Sequence, residues 1–266
     1  MKTHKPLILL VAVVCTLPAL AQDTIYYNRS WRDTTRAAAW FLRTRVKKDS
    51  LWQVADYYHS GSLSMTGAFA DEAFHRPEGE FVWYDDNGVV FRRRGYSHGK
   101  ADGPELYLYP DGKPQVKGQY SNNKRTGEWL GYYPDGKLSG KAVYDTGRQV
   151  SMIAYNEDGS ENGAINKFFQ DAEYPGGQKE YMKFLNENLH YPNRAARRKI
   201  EGTVVIRFKV SKEGKVSDIT VDQSVEETLD KEAIRVIEMM PDWRPAVRGG
   251  APIDTSPMQP VVFKIP

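Results

Sequence analysis

The side chains best suited to chemistry are few and scattered along the chain. The histidines are His4, His59, His75, His98 and His190, and no two of them stand three or four apart, as a helical pair of metal ligands would. Asp85-Asp86-Asn87-Gly88 has the opening of a calcium loop, but no bidentate glutamate follows at the required offset, and a β-turn accounts for it. Glu226, Glu227 and Asp230 gather three carboxylates; they suit the first turn of a helix, whose dipole favours negative charge there. No Gly-x-Ser-x-Gly nucleophile motif occurs. The sequence therefore offers no catalytic residue, no metal ligand set and no cofactor site, and the expectation is a protein that is not an enzyme.

What, then, must these elements position? The chain has 266 residues and one cysteine, Cys15. Cys15 lies in a leader: Lys2, His4 and Lys5, an apolar run from Leu7 to Leu17, then Pro18 and Ala19-Leu20-Ala21. That is the form of a signal peptide cleaved after Ala21, since an apolar run of this length is short for a bilayer span of about 20 residues. A retained N-terminal anchor is the competing reading; Ala12-Val13-Val14 before Cys15 suits lipid attachment poorly. The expectation is an exported protein of the periplasm or cell envelope, without disulfides. Of the 37 basic residues, Lys2 and Lys5 leave with the leader, so 35 face 34 acidic ones. That balance gives no reason to expect a nucleic-acid partner.

Turn dipeptides recur through the first half. Ser60-Gly61, Asn87-Gly88, Asp111-Gly112, Asp135-Gly136 and Asp158-Gly159 stand 27, 24, 24 and 23 residues apart. Asn-Gly and Asp-Gly favour type I′ hairpin turns, which need positive φ at both central positions. Tyr58, Tyr84, Tyr109, Tyr133 and Tyr155 precede the turns. Gly79, Gly103 and Gly127 open strand-like runs, and Gly67, Gly95, Gly118 and Gly140 form a third set in phase. Each unit reads as a hairpin that cannot bury its own apolar face, so the units must stack into one sheet. Strands at 37–46 and 51–58 are expected to cap it. The pattern, over roughly Trp52 to Gly163, resembles MORN-type repeats.

From about Phe169 the period becomes helical. Tyr181, Phe184, Leu185 and Leu189 share a face; Asn193 can cap a short second helix; Thr203–Val210 and Val216–Val221 read as paired strands. A helix follows Thr228, a candidate N-cap, and a last strand spans Val261–Ile265. The order is ααββαβ. Tyr191-Pro192, Glu201-Gly202-Thr203-Val204, Phe208-Lys209-Val210, Leu229-Asp230-Lys231-Glu232-Ala233, Pro241-Asp242-Trp243-Arg244-Pro245-Ala246 and Val262-Phe263 together resemble the TonB C-terminal domain, in the variety with Tyr-Pro-Gly-Gly (here Tyr174 to Gly177) before the first helix.

The expected organisation is an α+β chain: a signal peptide over 1–21, a β-hairpin repeat domain over 22–163 and a TonB-like domain over 170–266. The resemblance implies a protein partner, such as an outer-membrane TonB-dependent receptor, bound by β-strand addition in TonB-dependent transport. It places the receiving edge on Val261, Val262, Phe263, Lys264 and Ile265. Two features depart from an energy transducer: the leader looks cleavable, and repeats replace the Pro-rich spacer. The alternative is a non-energising scaffold whose repeats bind partners and whose C-terminal domain forms a homodimer.

Overall fold

The computed structural model describes residues 23–28, 32–36 and 39–265; the leader expectation, with Cys15, lies outside them. The first half is one antiparallel sheet whose strands follow chain order without a crossover. Its strands are β1 (Asp23–Tyr27), β2 (Phe41–Lys48), β3 (Leu51–Tyr58), β4 (Leu63–Phe69), β5 (Pro77–Tyr84) and β6 (Val90–Ser97). They continue as β7 (Lys100–Leu108), β8 (Pro114–Ser121), β9 (Lys124–Tyr132), β10 (Leu138–Asp145) and β11 (Arg148–Ala154). The strands expected to cap the repeats are thus members of the same sheet, and β1 extends it by one more.

Two turn chemistries alternate along its two ends. At the Asp-Gly turns only the glycine has positive φ, as at Gly112 (81°) and Gly136 (89°). The Gly112 amide donates to the Tyr109 carbonyl at 2.9 Å, and the Tyr109 amide to that of Lys113 at 2.9 Å. This is a type I turn closed by a glycine bulge, not the expected type I′. The aspartate takes part through its side chain: Asp111 and Asp135 each accept the amide two residues on, at 3.0 Å. True type I′ geometry lies at the opposite end, where His98-Gly99, Asn122-Asn123 and Thr146-Gly147 have positive φ at both positions.

Successive units are tied together by the tyrosines before the turns. The hydroxyl of Tyr58 donates to the carbonyl of Tyr84, that of Tyr109 to Tyr132, and that of Tyr133 to Tyr155, each at 2.8 Å. Two glycines of the third set make room for rings: a Cβ on Gly118 would fall 2.1 Å from the Trp129 ring, and one on Gly67 2.4 Å from Phe81. Trp129 is fully buried, which stabilises by roughly 3 kcal/mol for a large side chain.

The same face buries charge. Asp56 holds Arg43 in a two-pronged pair at 2.6 and 2.7 Å. Glu105, 1% exposed, accepts from Arg92 at 2.7 Å and also from Arg94. In the neighbouring units Phe81 and Trp129 occupy the register that Glu105 takes, two residues after Gly79 and Gly127.

The second half contains helices α1 (Gly177–Asn188), α2 (Asn193–Arg197) and α3 (Glu227–Glu238), with β13 (Gly202–Val210), β14 (Val216–Gln223) and β17 (Met258–Phe263) forming a sheet in the order β14-β13-β17. Leu229, Ala233, Val236 and Ile237 of α3 pack on Val204, Ile206, Phe208 and Val261, all fully buried. The caps differ from expectation. Glu226, not Thr228, caps α3 by accepting the Thr228 amide at 2.7 Å, and α2 begins at Asn193 without a side-chain cap.

Three short strands escaped the sequence reading: β12 (Phe169–Gln170), β15 (Ala246–Arg248) and β16 (Ala251–Ile253). They form their own small sheet, in the order β12-β15-β16, and it joins the two halves. Phe168 is fully buried among Val116, Trp129, Ala142 and Tyr144 of the repeat sheet. The Gly249-Gly250 turn lies directly against Gly131 and Gly140, where an added Cβ on Gly131 would meet the Gly249 carbonyl oxygen at 1.9 Å.

Candidate functional site

β17 is an outer strand of its sheet, and its two sides differ. Val261 and Phe263 point into the core, 0% and 1% exposed, whereas Met258 and Val262 are 51% and 52% exposed. The Phe208 amide donates to the Pro257 carbonyl at 3.3 Å. The register Ile206↔Gln259, Val204↔Val261 and Gly202↔Phe263 then makes these the bonded pairs of the ladder, because antiparallel pairs alternate. Met258, Pro260 and Val262 therefore turn their backbone groups outward. Among the described residues no strand pairs with that side.

Pro260 has no amide to offer, and proline at an outward edge position is a usual safeguard against indiscriminate pairing. The edge retains the amides of Met258 and Val262 and three carbonyls. The opposite outer strand, β14, is less suited to receive a partner: its pairing with β13 is twice interrupted, and Asp218 has φ of 50°.

The expected edge, Val261–Ile265, is shifted in the structure. The strand starts earlier, at Met258, and stops at Phe263, leaving Lys264 and Ile265 beyond it. The reason is local: the Ile265 amide is taken by the Glu201 carboxylate at 2.7 Å, which replaces the next ladder bond. Of the five expected residues, Val262 alone combines an outward backbone with an exposed side chain within the strand. Met258 and Pro260 were missed because a proline demotes a strand in sequence reading.

The groups first considered for chemistry have structural duties. Asp85 accepts the amides of Asn87 and Val89, each at 2.9 Å, as a turn residue. Asp230 accepts from the Ser224 hydroxyl at 2.5 Å and the Val225 amide at 3.2 Å. Glu72 stands three residues before His75 and Glu187 three before His190, but Glu72 pairs with Arg45 at 3.2 Å. His190 faces Glu232 at 3.6 Å and Arg235 at 3.0 Å. Among the described residues no group of three or more such side chains could hold a metal.

Fold and edge together define a protein with a small α+β module, its outer strand β17 unpaired on one side among the described residues, carried on a stacked array of β-hairpins. Residues 187–265 match the family model described as the Gram-negative bacterial TonB protein C-terminal. Residues 77–98, 101–122 and 125–146 match the MORN repeat variant. Each repeat match spans one hairpin across an Asn-Gly or Asp-Gly turn, with a type I′ turn as its boundary. The chain thus carries a TonB C-terminal domain preceded by MORN-type repeats. No curated protein matches the chain. Among the described residues no helix is long and apolar enough to cross a membrane.

Proposed function

We propose that this is an exported envelope protein that takes up an extended segment of a protein partner as a fourth strand alongside β17. The partner class favoured is an outer-membrane receptor of TonB-dependent transport. The observation that carries the reading is the outward backbone of Met258, Pro260 and Val262 on an outer strand within a TonB-type domain. In strand addition, main-chain bonds supply affinity and alternate side chains supply selectivity. Met258 and Val262 present apolar contacts on the exposed face, while Pro260 leaves a gap that excludes a partner relying on an unbroken ladder.

The test is titration of the 15N-labelled full chain with peptides from the N-terminal extensions of such receptors. The expected result is saturable movement of the Met258 and Val262 amides, with smaller changes at Val261 and Phe263, whose amides already serve β13. Shifts confined to the repeat sheet would overturn the proposal and favour the scaffold reading.

A further inference from the structure

We propose that the cleft where the two halves meet binds a small organic anion, with a carboxylate or phosphate headgroup held between Arg125 and Arg248. The cleft has a volume of about 390 Å³ and is lined by Tyr107, Arg125, Phe169, Asp171, Arg248 and Thr255, among others. That lies within the range of ordinary small-molecule sites, about 300–1,000 Å³.

Arg125 and Arg248 depart from the pattern of charge around them. Elsewhere on this face each sunken arginine has a carboxylate: Arg43 has Asp56, and Arg92 and Arg94 share Glu105. Among the described residues, neither Arg125 nor Arg248 has an ion-pair partner. Arg125 lies over Phe169, its Cζ 4.3 Å from the ring centre, and over Trp129 at 5.5 Å, while its Nε is buried without an acceptor. Arg248 lies over Tyr107 at 5.1 Å and donates to the Gln115 side chain at 3.3 Å. The Thr255 hydroxyl is a second buried polar group here without a partner.

A guanidinium withdrawn from water without a counter-charge is costly, and burial lowers the pKa of Arg248. Planar forks of N–H donors match the two oxygens of a carboxylate or phosphate. The Tyr107 and Phe169 rings, 6.2 Å apart, supply flat apolar surface beside the charges. Asp171 also lines the cleft, and its negative charge acts on Arg248, which suits a single anionic group and disfavours a polyanion. Because Arg125 belongs to the repeats and Arg248 to the C-terminal domain, an occupant bridges the two halves.

The experiment follows the arginine Nε–H resonances of the 15N-labelled full chain during titration with benzoate, phenyl phosphate, acetate, inorganic phosphate and benzyl alcohol. The expected result is a saturable shift of Arg125 and Arg248 with benzoate or phenyl phosphate, at least tenfold tighter than with acetate or inorganic phosphate. The tighter of the two ring-bearing anions identifies the headgroup. Arg248→Gln should abolish the effect, and Thr255→Val, which leaves both cations in place, should weaken it severalfold. No saturable shift, an equal response to benzyl alcohol, equal binding of the ring-free ions, or undiminished binding in the folded Arg248→Gln chain would each overturn the proposal.

Discussion

The hydroxyl of Ser139, in the repeat sheet, donates a 2.8 Å hydrogen bond to the carbonyl of Gly249, 110 residues further along the chain. Ser139 is fully buried, and the bond closes a contact made largely of backbone. Gly249 and Gly250 meet Gly131 and Gly140 with no side chain between them. The two halves are therefore held by shape, in a place where neither can yield.

Gly131→Ala tests that fit. The added methyl would overlap main chain, not a flexible side chain, so the expected cost is that of overpacking, about 1–3 kcal/mol. Hydrogen exchange should rise at 168–170 and 246–250 while the α3 core stays protected. Unchanged exchange at both segments would show that the contact does not hold the halves together.

Glu105→Gln should be strongly destabilising. Arg92 and Arg94 would lose their shared carboxylate on a largely buried face, and removal of one partner from such a cluster costs on the order of 3 kcal/mol. Denaturant unfolding measures the loss. Replacing Glu105, Arg92 and Arg94 together by apolar residues of similar volume should recover most of it.

Tyr181→Phe should stabilise the protein, by about 1 kcal/mol. The Tyr181 hydroxyl is buried without a partner, and an unsatisfied buried hydroxyl is a net cost. Burial also holds its pKa above the ordinary tyrosine value of 10.0. A folded pKa above the unfolded one means the contribution is complete below pH 10 and is lost as pH climbs beyond it. The wild-type chain should lose stability faster than Tyr181→Phe in thermal melts above pH 10; parallel curves would refute the assignment.

Val262→Pro separates strand addition from folding. The Val262 amide faces outward, so no internal bond is lost, and proline is tolerated at such edge positions. Stability should change by less than about 1 kcal/mol, while the partner peptide should no longer shift the Met258 amide. Full retention of binding would place the partner elsewhere.

The sequence made the repeat visible because glycines in turns and tyrosines before them recur at a nearly fixed interval. It assigned the wrong turn type to Asp111-Gly112 and its equivalents, since a dipeptide does not say whether the aspartate acts through its φ or, as here, through its carboxylate. His98-Gly99, Asn122-Asn123 and Thr146-Gly147 went unmarked because their residue types vary, although their spacing does not. The α3 core was legible from the helical interval of Leu229, Ala233, Val236 and Ile237. β12, β15 and β16 were not, because strands of two or three residues carry no period. Nor was the docking of the halves: glycines that touch through their backbones leave no hydrophobic signature.

Three tyrosine hydroxyl bonds tie hairpins to their neighbours, and each hairpin adds two strand spacings of about 4.8 Å, or roughly 10 Å of length. The array therefore behaves as a ruler graduated in whole hairpins. Insertion or deletion of one unit would move the far end of the sheet by one graduation while the C-terminal module kept its seat on β8 to β10. In such a molecule, reach can evolve in discrete steps without redesign of the gripping end.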